Sequence, residues 1–210
     1  MLACVFTLLV LSGCGGDEVS GADLKDQLLP TEELQLSGEV QLEAERQFVW
    51  DNAIDFIDQG AYHSEETKLS ELVDAIDDEG FIAAAGENLG DENHETLTFV
   101  AVAAFASEDG AEAARDVLHE EDLKQPCFEA CTVTPVETTF EEIPNSVAVH
   151  HKPNEVEPPP GGLSIEAYHI EFTIGSNLYL LQSSGPPGAI LEADFEHAAT
   201  VFYEHASEQD

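Results

Sequence analysis

Apolar residues in this chain change their period several times, and each change marks an element. Leu69, Leu72, Val73 and Ile76 lie on one stripe of a helix that opens at Ser64 and stops at Gly80. Phe81 to Ala85 and Thr96 to Phe105 are nearly continuous apolar runs separated by a Gly- and Asn-rich stretch, which predicts a hairpin. Ser107 then stands at an N-cap position, ahead of Glu108 and Asp109, acids suited to the positive end of a helix dipole; Ala111, Ala114, Val117 and Leu118 carry that helix on. The sharpest alternation follows later: Tyr168, Ile170, Phe172 and Ile174 point to one face, while Ala167, His169, Glu171 and Thr173 point to the other. Gly175-Ser176-Asn177 turns that strand back into Leu178 to Leu181, so the pattern predicts a second hairpin with one buried face. Leu191, Phe195, Ala199 and Phe202, at helical spacing, predict a closing helix over 189–206.

Between these lie weaker readings. Val40, Leu42 and Ala44 alternate as an extended piece, and Phe48, Val49, Trp50, Ile54, Phe56 and Ile57 line a short helix. Thr132 to Thr139 reads as an edge strand, Val147 to Val149 as another strand, and Pro158 to Gly162 as a loop that no regular element crosses. Hairpin followed by helix thus occurs twice, at 81–120 and 164–206. The fold class is α+β, an antiparallel sheet with helices packed on one face.

The N-terminus changes the picture from a free domain to a tethered one. Residues 2–13 hold no charge, and the run is far shorter than the ~20 apolar residues that span a hydrocarbon core. It closes on Leu11-Ser12-Gly13-Cys14, which resembles the lipobox of prokaryotic lipoproteins; the resemblance implies cleavage before Cys14 and lipidation of its thiol. No Lys or Arg precedes the apolar run, a departure from the usual leader. The implied organisation is a signal peptide at 1–13, a lipidated tether at 14–30 and a single α+β domain at 31–210. The chain would then sit on the cell membrane through its lipid anchor, facing away from the cytoplasm. The order of hairpin, Phe105-Ala-Ser-Glu-Asp-Gly-Ala111 helix start, cysteine pair, Ile143-Pro-Asn-Ser146 and Tyr168 to Gly185 also resembles small actinobacterial lipoproteins and the extracellular sensor domains of receptor kinases. That resemblance implies an α+β module and no chemistry.

Charge narrows the partners. Asp and Glu number 44 against 6 Lys and Arg, a formal net charge of −38. Such a surface repels phosphate backbones and anionic head groups, which argues against nucleic-acid or lipid-surface binding by the domain itself. The acids are spread along the whole chain, as in a surface adapted to high salt. Self-repulsion should then destabilise the fold at low ionic strength and fade near 1 M, where the Debye length is about 3 Å. Thermal melting is therefore expected to rise strongly from low to molar salt, and a flat response would remove the halophilic reading.

After loss of the leader, Cys127 and Cys131 are the cysteines left besides Cys14. Outside the cytosol, Cys-Phe-Glu-Ala-Cys is most simply a small-loop disulfide; a metal half-site or a redox pair fits the spacing less well. No nucleophile elbow, phosphate loop, His-Glu-x-x-His or calcium loop occurs, so no catalytic residues and no cofactor are assigned. Of the eight histidines, His150 and His151 are adjacent and point to opposite faces of a strand, and His197 and His205 stand two helical turns apart. They read as surface groups, and no metal ligands are assigned. The function expected is a non-enzymatic binding module for an envelope protein or a small ligand. The alternative is a metal-binding envelope protein or a metal-dependent enzyme in which His169 meets His150 across neighbouring strands.

Overall fold

A computed structural model of the chain describes residues 19–34, 42–59, 69–91, 95–124, 133–153 and 164–209. Cys14, Cys127, Cys131 and the leader lie outside these residues. The apolar runs become β1 (Glu43–Trp50), β2 (Phe81–Gly90), β3 (Leu97–Phe105), β4 (Val133–Thr138), β5 (Ser146–Pro153), β6 (Glu166–Ile174) and β7 (Asn177–Gly185). They form one sheet in the order β1-β2-β3-β7-β6-β5-β4, with every neighbouring pair antiparallel. The fold is α+β, as the hydrophobic pattern predicts. Two hairpins, β2–β3 and β6–β7, meet along β3 and β7, where Val100 faces Leu181 and Val102 faces Tyr179. The Thr-rich stretch is the edge strand β4.

The helices are α1 (Gly21–Leu24), α2 (Ala53–Gln59), α3 (Leu69–Asp78), α4 (Glu108–Lys124) and α5 (Glu192–Gln209). They cover both faces of the sheet, not one. On the first face, Ala83, Ala85, Val102, Ile170, Phe172 and Tyr179 pack with Leu24, Leu28 and Leu29 and with Phe195, Ala199 and Phe202 of α5. On the second, Trp50, Ala84, Phe99, Ala101 and Leu180 pack under Phe56 and Ile57 of α2, Ile76 of α3, and Ala111, Ala114 and Leu118 of α4. The physical reason lies in β3 and in Phe81–Gly86 of β2, whose residues of both parities are almost all apolar or small, so each side of the sheet centre must be withdrawn from water.

Three readings are corrected in detail. Phe48 and Trp50 belong to β1, where residues two apart share a face and their rings stack at 5.1 Å; the helix begins only at Ala53, after Asn52 Oδ1 accepts the Asp55 N–H at 2.8 Å. The segment read as tether up to Pro30 contributes Leu24, Leu28 and Leu29 to the core, and Gln27 accepts from Tyr179 Oη at 2.9 Å and from Asn177 at 3.1 Å. The β6–β7 hairpin buries both faces, because α5 lies on one and α4 on the other. The helix boundaries hold as read at Gly80 (φ +84°) and at Ser107, whose Oγ accepts the Gly110 N–H at 3.1 Å. Among the described residues no helix is long and apolar enough to cross a membrane.

Candidate functional site: a buried His-His-Asp cluster beneath the fourth helix

The antiparallel register of β5 and β6 pairs Val149 with His169 and His150 with Tyr168, so residues of odd number on both strands face α4. That register brings His169 to His151, with ring centroids 4.8 Å apart. The sequence-level alternative paired His169 with His150, which the structure sends to the opposite face. There His150 Nε2 lies 2.7 Å from Glu166 Oε1 and its ring stacks on Tyr168 at 4.0 Å. Glu166 also accepts the Gly188 N–H at 2.7 Å, tying the loop before α5 to the sheet. Tyr168, beside Glu166 and Glu192, has its phenol pushed up to about 12, burial being the larger cause.

Asp122 completes the cluster from the last turns of α4. The stripe of Ala111, Ala114 and Leu118 runs on with helical spacing to Asp122, so the helix places a carboxylate where its own pattern calls for an apolar side chain. Asp122 is fully buried and shares a 2.8 Å hydrogen bond with His169 Nδ1 through Oδ2. Its other oxygen, Oδ1, has no hydrogen-bond partner, and neither ring nitrogen of His151 has one. His150, His151 and His169 are all buried, which overturns the reading of surface histidines; His197 is exposed.

Burial dominates the electrostatics. It holds the imidazole of His151 down to about 3, assisted by the neighbouring His169 and His150, and that of His169 down to about 4 against the pull of Glu171. Burial pushes the Asp122 carboxyl up to about 7, against a hydrogen bond with Glu171 and the nearby His119. Near neutrality both imidazoles are therefore uncharged, with lone pairs available. One ligand atom from each of Asp122, His151 and His169 lies within 4.8 Å of the others. His119 approaches from α4 with Nε2 3.4 Å from Glu137 on β4, while its Nδ1 is buried without a partner.

Sequence reasoning singled out His169 and missed His151 as its neighbour and Asp122 altogether. The continuation of the α4 stripe past Leu118 is the signal that marks Asp122. Cys14, Cys127 and Cys131 lie outside the described residues.

No family model and no curated protein sequence matches the chain. The extracellular domain of PknH from Mycobacterium tuberculosis is similar in structure, with a TM-score of 0.57 over 92% of this chain and 100% of that domain, at 16% identity. At that identity the similarity is one of fold, and it is of the kind that the resemblance to extracellular receptor-kinase domains implies.

Proposed function

We propose that this chain is a lipid-tethered extracytoplasmic binding module of a prokaryotic envelope, with a surface adapted to high salt and no enzymatic activity. The observation that carries the reading is the fold shared with an extracellular domain, joined to the Leu-Ser-Gly-Cys14 sequence near the N-terminus. Two or three acyl chains on Cys14 would make attachment lasting, since one chain alone gives marginal binding at about 0.8 kcal/mol per buried CH₂. Among the described residues Leu24 is the first apolar side chain in the core. Repulsion between the acidic surface and anionic head groups then turns the domain outward, toward a protein or small-molecule partner. In this reading Cys127 and Cys131 form a small-loop disulfide.

Mass spectrometry of the mature protein from membranes is expected to show an acylated cysteine at the N-terminus. Cys14→Ala should shift the protein to the soluble fraction or leave its leader uncleaved. An unmodified Cys14 on a chain that keeps residues 1–13 would overturn the proposal.

A further inference from the structure

The buried polar cluster beneath α4 is the part of the molecule that a simple packing scaffold does not account for. We propose that Asp122, His151 and His169 form a binding site for a single divalent first-row transition ion of the zinc class, held by two imidazoles and one carboxylate. The site goes beyond the proposed function and stands whether or not Cys14 carries a lipid.

Four observations converge on it. The three residues come from three elements, α4, β5 and β6, and all are buried, Asp122 completely. Both nitrogens of His151 and Oδ1 of Asp122 are withdrawn from water with no hydrogen-bond partner. Buried polar atoms are nearly always partnered, so three orphaned atoms in one cluster call for a missing occupant. The ligand atoms lie within 4.8 Å of one another. Bonds of about 2.0–2.2 Å to one tetrahedral ion separate ligand atoms by roughly 3.3 Å, leaving on the order of 1.5 Å to be closed by side-chain rotation.

The chemistry of the donors supports the class of ion. Two imidazoles with one carboxylate suit zinc and its first-row neighbours, whereas calcium and magnesium prefer all-oxygen shells. His169 Nδ1 lies 2.8 Å from Asp122 Oδ2, so an ion shared by the two residues would take the place of the proton between them, leaving Nδ1 as the ligand nitrogen. Oδ1, the oxygen without a partner, remains for the ion.

The test uses full-length untagged protein, freed of metal by chelation and kept in molar NaCl with excess Mg²⁺ so that surface acids are saturated. It is given Zn²⁺ or Co²⁺ alone, both as folded protein and during refolding, so that slow entry cannot mask a site. The expected result is one ion per chain after gel filtration and elemental analysis. Co²⁺ should give visible d–d absorption without a thiolate charge-transfer band. Zn²⁺ at a hundred times its Kd should raise the melting temperature by about 5 to 10 °C. His151→Leu and Asp122→Asn should each weaken binding by about 100-fold or more, and His150→Leu, on the opposite face, should leave it unchanged. Substoichiometric metal in the native protein under both loading conditions overturns the site. So does binding that survives His151→Leu and Asp122→Asn, or a thiolate band that assigns the ion to the cysteines.

Discussion

Phe172→Ala is expected to lower the melting temperature by about 6 to 20 °C. Phe172 is fully buried in β6, its ring stacked on Tyr179 at 5.2 Å and meeting Phe202 and Tyr203 of α5 edge-on at 5.4 and 5.5 Å. Tyr179 and Phe202 also touch, at 5.6 Å, so these rings form one packed group that fastens α5 to the second hairpin. Truncation removes the ring's transfer free energy and leaves a cavity that surrounding aromatics cannot collapse to fill. Phe→Ala at such sites costs about 3–5 kcal/mol, and each kcal/mol moves the midpoint of a 150–250-residue domain by about 2–4 °C. Leu191→Ala is the control: Leu191 is 56% exposed and should change stability by no more than about 0.5 kcal/mol. Melting followed by circular dichroism measures both, and a Phe172→Ala shift no larger than the control's would contradict the packing described.

The second large effect has the opposite sign. In metal-free protein near pH 7, His151→Leu is expected to stabilise the fold by about 1–3 kcal/mol, because it replaces two unpartnered buried nitrogens with apolar atoms of similar volume. The same substitution should flatten the loss of stability in acid. His151 at about 3 and His169 at about 4 both titrate below their ordinary value of 6.5 in the fold. The unfolded chain therefore holds more protons across that interval. Their contribution is complete above about 6.5 and is lost as pH falls through 6.5 toward 4 and then 3. Asp122 works against them: raised to about 7 from 3.8, it contributes below 3.8, and that contribution is lost as pH rises through 7. Two imidazoles oppose one carboxyl, so acidification from about pH 6 to 4 should destabilise the native protein, and His151→Leu should remove part of that slope. The charged groups that act on the His151 ring are His169 and His150, and those that act on Asp122 are Glu171 on β6 and His119 and Glu121 on α4; the substitution alters none of them. Urea unfolding at several pH values provides the measurement. Lower stability at pH 7, or an unchanged slope, would mean that His151 has partners in solution.

These two experiments probe opposite faces of the sheet, and the faces differed in how readable they were. The Phe172 face was legible. Tyr168, Ile170 and Phe172 repeat with the period of a strand, and Phe195, Ala199 and Phe202 with that of a helix, so local periodicity identifies both partners of the interface. The His169 face was not. Ala167, His169, Glu171 and Thr173 look like a solvated row, and nothing local shows that α4 covers them. Of the 44 acids, most are surface, so Asp122 is conspicuous only once α4 is known to run past Leu118 to Lys124.

By itself the sequence determined the α+β class, both hairpins, the cap of α4 at Ser107 and the stop of α3 at Gly80. Those follow from side-chain period and from residues that fix backbone or satisfy orphaned amides, interactions that span only a few positions. Only the tertiary structure decided that helices lie on both faces, that residues 24–29 join the core, and that His169 meets His151 instead of His150. The last depends on the register between β5 and β6, which the residues between them do not specify and in which a slip of one position exchanges the faces. Long-range pairing, set by burial of the whole sheet, thus assembled the His-His-Asp cluster from residues that in sequence carried no common mark.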